Sequence, residues 1–403
     1  MLGTSRVAQK RERTARFGFA FIGVLLIAAN LRGSFVSVGP VLSNISADLD
    51  LSTTAAGFLT GLPLIAFAVF SPMAPGVASR LGLDRTMWVS LLVLAAGIVF
   101  RSLPVPGFIW AGTAMIGLGI AFLNVLVPSL VKRDFPLKVS QITGNYTAVQ
   151  AGVAAIGAAV VVPVAQTSPS GWRLALGIWV GVALIAMAVL LPWLRRRPSG
   201  TQQAPAAAEE AYRSPWGSAL GWQVTLFMGL QSVAFYVLMA WLPTIEQDHG
   251  VSATTAGIHL SVFLLVNVFA SLAAGSLLHR GKDQRLISFI SGALMVVTFL
   301  GLALAPDLTL LWVLLGSVGC GSLIVIALSL FSLRSVNYPQ AASLSGMAQS
   351  VGYTLGAMGP VMFGGLRELS GDWTLPLLVA AGIMAVLAVM GLLAGRNRVI
   401  SAA

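Results

Sequence analysis

The chain has 403 residues, of which 57% are apolar and 9% carry a formal charge, against roughly a quarter charged in soluble domains. Its 24 basic and 13 acidic residues are bunched between long apolar runs, which excludes a pair of water-soluble catalytic domains and implies a chain surrounded by membrane lipids. The formal net charge of +11 fits basic clusters facing an anionic bilayer surface and calls for no nucleic-acid partner.

The amino-terminal string MLGTSRVAQKRERTAR, residues 1–16, is read as a cytoplasmic tail with five basic residues and one acidic. The apolar run that follows reaches Leu42 with only Arg32 interrupting it, too long for a cleaved leader, so it is taken as an uncleaved first span, 17–42. A helix needs about 20 residues to cross roughly 30 Å of hydrocarbon. Further runs of about that length predict spans near 55–79, 86–103, 107–131, 139–163 and 172–194, then 218–244, 253–278, 286–305, 308–333, 341–365 and 373–394. The runs do not alternate apolar with polar residues, so they predict helices and not barrel strands.

After the sixth span comes a polar stretch rich in Pro, Ala and charge, taken as a cytoplasmic linker over 195–217. It separates an amino-terminal bundle, 17–194, from a carboxy-terminal bundle, 218–394, with a short cytoplasmic tail over 395–403. The two bundles resemble each other at a nearly constant offset: STTAAG at Ser52–Gly57 matches SATTAG at Ser252–Gly257 at four of six positions, and Gly76–Arg80 corresponds to Gly275–Arg280. The expected fold class is therefore an all-α membrane protein of twelve transmembrane helices in two pseudo-symmetric six-helix bundles. Laid alternately across a bilayer, these spans put twenty Lys and Arg on one side and three on the other. That bias predicts a multi-pass protein of the cell inner membrane with both termini in the cytoplasm.

Arg32 lies halfway through the first span, while all thirteen acidic residues are assigned to loops, tails or span ends. No buried carboxylate is expected, and the counter-charge of Arg32 is assigned to the solute: a guanidinium holds a planar oxyanion through paired hydrogen bonds. Asn30, Asn124, Tyr146, Gln150, Gln231, Tyr236, Gln349 and Tyr353 are the uncharged candidates for completing a substrate-binding pocket, each able to donate or accept a hydrogen bond. Interhelical bonding is the competing role for every one of them. His259 falls inside a span and is the candidate for proton coupling. Three scattered histidines and a single cysteine form no metal cluster, and neither a phosphate-binding loop nor a nucleophile triad is present, so no cofactor and no enzymatic activity are expected.

The strings NLRGSFVSVGPVL at Asn30–Leu42 and PSLVKRDF at Pro128–Phe135, together with the paired half signatures, resemble the cyanate transporter and 2-nitroimidazole exporter group of the major facilitator superfamily. Gly33 stands where that group commonly has proline. The resemblance implies two rocking bundles, a central cavity lined by the first, fourth, seventh and tenth spans, and no cofactor. It also implies a cytoplasmic gate in GVASRLGLDR, carried by Arg80, Asp84 and Arg85. The function expected is secondary active transport of a small anionic or polar solute by alternating access, with the chain acting as a monomer. Export or facilitated passage of neutral nitroaromatic compounds is the alternative within transport, and a non-transporting membrane sensor is the alternative outside it.

Overall fold

The computed structural model describes residues 18–167, 170–195, 213–281 and 283–400. The tail expected over 1–16 and the middle of the expected linker, 196–212, lie outside the described residues. Twelve long helices follow one another: α1 (Gly18–Val41), α2 (Ala55–Leu81), α3 (Leu83–Ser102), α4 (Phe108–Asp134), α5 (Val139–Ala165) and α6 (Gly171–Leu194), then α7 (Ala219–Asp248), α8 (Ala253–His279), α9 (Arg285–Leu304), α10 (Thr309–Leu333), α11 (Tyr338–Ser370) and α12 (Thr374–Ala394). In hydrocarbon a helix satisfies its backbone groups internally, which is why such apolar runs fold this way. Eleven of the helices are long and apolar enough to cross a bilayer. The remaining one, α11, is diluted by Ser, Gln and Tyr, and it packs against α7, α2 and α4, where polar side chains find partners within the protein.

The two halves repeat the same packing. In the first, α4 lies against α3 and α2, and α3 against α6; in the second, α10 lies against α9 and α8, and α9 against α12. The repeat extends to single residues at the end opposite the basic clusters. Asp50 and Gly250 both hold positive φ, 49° and 86°, and two residues later the hydroxyls of Ser52 and Ser252 cap the next helix by accepting from the Ala55 and Thr255 amides. Asp48 accepts from the indole of Trp172 (3.1 Å) and from the guanidinium of Arg173 (2.9 Å). Its counterpart Asp248 accepts from the indole of Trp373 (2.8 Å) and from the guanidinium of Arg367 (3.1 Å).

At the basic end the halves are drawn together. Lys132 donates to the Ser335 carbonyl (3.0 Å), Ser129 to that of Tyr338 (2.7 Å) and Ser332 to that of Pro128 (2.8 Å). Further in, Gln349 donates to the Asn124 carbonyl (2.9 Å) and Ser350 to that of Ala68 (2.5 Å). α5 and α8 cross at Gly144 and Gly275, where backbone meets backbone. Among the described residues, every hydrogen bond joining the two halves lies between this end and the middle of the bundle. These bonds close the bundle at its basic end.

Two charged clusters brace that base within each half. Asp84 and Asp134 both bind Arg133 (2.8 and 2.7 Å). Of the expected gate residues, Asp84 is in this cluster, whereas Arg80 and Arg85 are exposed. In the second half Arg334 is buried and donates to Gln284 and to the carbonyls of Ala394 (2.7 Å) and Gly395 (2.9 Å), closing off the end of α12. Burial pushes the Arg334 guanidinium down to about 10, which leaves it charged at neutral pH.

Candidate functional site

Above the closed base the cleft is built around an interruption in α1. The helix is regular over 18–30, turns at 31–32, resumes over Gly33–Val36 and ends in a 3₁₀ segment, Gly39–Val41. Gly33 lies against the ring of Trp179 from α6, in space that any Cβ would fill, and the same indole donates to the Ser37 hydroxyl (2.9 Å). Arg101, buried at the end of α3, donates to the Ser34 carbonyl (2.9 Å), one of those the interruption frees. The break next to Arg32 is thus held from two sides.

Arg32 itself is half-buried. Its guanidinium carbon lies 5.6 Å from the centroid of the Phe235 ring on α7, within the range of a cation–π contact. Among the described residues Arg32 has no carboxylate partner and makes no hydrogen bond, so its five N–H donors are left unspent by them. Tyr236 and Tyr353 stand within electrostatic reach of Arg32, and Tyr146 within reach of Tyr353. The rings of Phe35, Phe67 and Tyr353 continue the wall, with centroids 6.2 Å and 5.2 Å apart. Arg32 thus stands beside a run of aromatic side chains contributed by α1, α2, α7 and α11.

The other expected residues divide between floor and scaffold. Gln349 lies one helical turn below Tyr353 and with Asn124 forms the floor where the halves meet; Gln150 is buried one turn beyond Tyr146 on α5. Asn30 donates to the carbonyls of Leu26 (2.8 Å) and Val182 (3.4 Å), joining α1 to α6. Gln231 donates to Ser232 (2.9 Å) and Met228 (3.3 Å) on its own helix. Their amide nitrogens are occupied by protein.

A family model for the Major Facilitator Superfamily matches residues 20–360. The chain belongs to the major facilitator superfamily. It is 40% identical over 389 residues to the 2-nitroimidazole transporter of Escherichia coli strain K12, spanning 93% of this chain and 95% of that one. It is 27% identical over 373 residues to the cyanate transport protein of the same organism, spanning 90% and 94%. Among solved structures, the proton:xylose symporter XylE superposes with a TM-score of 0.79 at 14% identity, covering 96% of this chain and 97% of that one. The chain is thus a multi-pass membrane transporter and not an enzyme.

One expectation is corrected. The sequence reading left no carboxylate buried, but Glu246, in the last turn of α7, is 1% exposed. Its Oε1 lies 3.0 Å from Nδ1 of His259 on α8. Spacing places residue 246 at a span end without showing that α8 folds over it, and the apolar neighbours of His259 carry no sign of a partner thirteen positions earlier. Phe35, Phe67, Phe235, Arg101 and Arg133 also escaped the sequence reading. Phenylalanine is ordinary on membrane helices, and the two arginines sit near span ends, where basic residues are common.

Proposed function

We propose that the chain is a secondary active transporter that carries a small planar anion, or a strongly polar solute of similar shape, by alternating access. The observation that carries this reading is Arg32, without a hydrogen-bond or carboxylate partner among the described residues and seated over an aromatic face, beyond the hydrogen bonds that join the two halves. A carboxylate or cyanate would accept two parallel bonds from the guanidinium. Tyr236, Tyr353 and Tyr146 would orient it, and the phenyl rings would exclude bulky or hydrated solutes. The same rings support a second reading: a nitro group presents two coplanar oxygens to Arg32 while a heteroaromatic ring stacks on Phe67 or Phe235.

The distribution of basic residues supports a cytoplasmic base with both termini on that side of the inner membrane. The described conformation is then outward-facing. One chain carries both halves of the cleft, so the monomer is the working unit. Protons are the natural coupling species, with His259 as the participating histidine.

Calorimetric titration of benzoate, cyanate and 2-nitroimidazole against the detergent-solubilised chain tests the site. R32A should weaken binding of whichever solute wild type takes by about 30-fold or more, since stranding a desolvated charge costs about 2 kcal/mol or above. Counterflow of that solute in proteoliposomes should saturate. Binding that survives R32A refutes the site, and binding without counterflow refutes transport.

A further inference from the structure

The Glu246 and His259 pair has a geometry that helix packing does not require. The Glu246 side chain is fully shielded, His259 keeps 15% of its side chain exposed, and Glu246 Oε2 has no hydrogen-bond partner among the described residues. With imidazole neutral and donating from Nδ1, the pair carries a net negative charge, held by one hydrogen bond, with part of the imidazole still exposed. One proton taken up from solution makes the pair neutral, whichever of the two residues holds it.

Among the described residues no other charge compensates the pair. On α7, Asp248 is bound to Arg367 and Trp373, and His249 is bonded to the Ile245 carbonyl (2.7 Å). α11 brings Arg367 and the exposed Glu368, the exposed Asp372 precedes α12, and the exposed Asp307 precedes α10. Among the described residues, His259 is the group that meets the Glu246 carboxylate. The pair also adjoins the cleft. One turn along α8, Phe263 packs against Phe235 with centroids 6.3 Å apart, and Phe235 is the ring beneath Arg32.

We infer that Glu246 and His259 form a proton-binding site that must be filled before the end of the bundle opposite the basic clusters can close. This rests on the alternating-access reading above. Closure buries the imidazole edge, and a pair left with net charge in a water-free interior is costly, whereas a neutral pair is not. The proton thereby becomes a ligand of the closing step, entering from the same side as the solute.

The test needs no substrate. Cys320 is buried, so cysteines introduced at the exposed Val105 and Leu308 can carry spin labels that report the distance across the open end of the full chain in nanodiscs. In wild type the closed-to-open ratio should rise as pH falls, by up to about tenfold per pH unit for a single linked proton. E246Q, which mimics the protonated acid, should remove that dependence and favour the closed form throughout. H259Q keeps the carboxylate and should shift the pH midpoint of closing without abolishing the response, which keeps the test decisive should E246Q not fold. A pH response in both variants equal to that of wild type, or none in wild type, overturns the inference. Failure of the solute-site reading shows separately, as binding that survives R32A for whichever of benzoate, cyanate and 2-nitroimidazole wild type takes.

Discussion

Gly144→Ala should reset the balance between the two ends of the cleft without loosening either half. A Cβ built at Gly144 would stand 2.9 Å from the Ser271 carbonyl oxygen and 3.1 Å from the Gly275 Cα. Both are backbone atoms and cannot rotate away, so α5 and α8 must separate until the contact reaches an ordinary van der Waals distance. Overpacking of this kind costs about 1–3 kcal/mol. On the alternating-access reading the cost falls only on the state closed at the basic end, because α5 and α8 belong to different halves and would part when that end opens. The population ratio should therefore move by about 5- to 150-fold toward the form open at the basic end. Distance measurements between labels at Leu137 and Leu286, both largely exposed near that end, read the ratio directly. A distribution indistinguishable from wild type would refute the crossing as the contact that limits opening.

Asp48→Asn and Asp248→Asn should lower the melting temperature by similar, small amounts, roughly 1–3 °C each, because the two partly exposed ion pairs contribute little and the indole bonds about 1 kcal/mol; a thermal fluorescence assay that found one substitution silent and the other severe would contradict the repeat. Arg101→Ala leaves the Ser34 carbonyl without its buried donor, at about 1–3 kcal/mol, and should weaken solute binding through the tilt of α1. Arg101→Lys should restore much of that affinity in the same calorimetric titration, and no difference between the two variants would show that Arg101 only packs. Phe235→Leu removes a cation–π contact of about 0.5–2 kcal/mol and should reduce solute affinity about 2- to 30-fold, while larger losses would point to a collapsed cleft.

The architecture was legible in the sequence wherever a single physical rule decides it. The length of apolar runs produced the twelve helices, and the offset between STTAAG and SATTAG pointed to a duplication that the matching caps at Ser52 and Ser252 display. Arg32 was legible as a lone charge because hydrocarbon makes any arginine conspicuous. The cleft wall was not. Hydropathy carries no azimuth, so nothing distinguished Phe235, beneath the guanidinium, from phenylalanines turned to lipid, nor Asn30 and Gln231, spent on packing, from Tyr236 and Tyr353 near Arg32. Glu246 was missed for a related reason: position along a helix says how near the chain is to a span end, and not which neighbour covers the side chain.

The two aspartate clamps differ in one respect. In the first half the indole and the guanidinium come from consecutive residues, Trp172 and Arg173, so the clamp ties Asp48 to a single helix. In the second half the guanidinium comes from α11 and the indole from the residue before α12, so Asp248 gathers three helices at one rim. α11 is also the helix whose Gln349 and Ser350 grip the opposite half near the floor. The second bundle thus contains a lever, fastened at its rim and loaded at its midpoint. On the alternating-access reading, opening the base would free α11 at Gln349 and Ser350 and carry that release along the helix to the far rim.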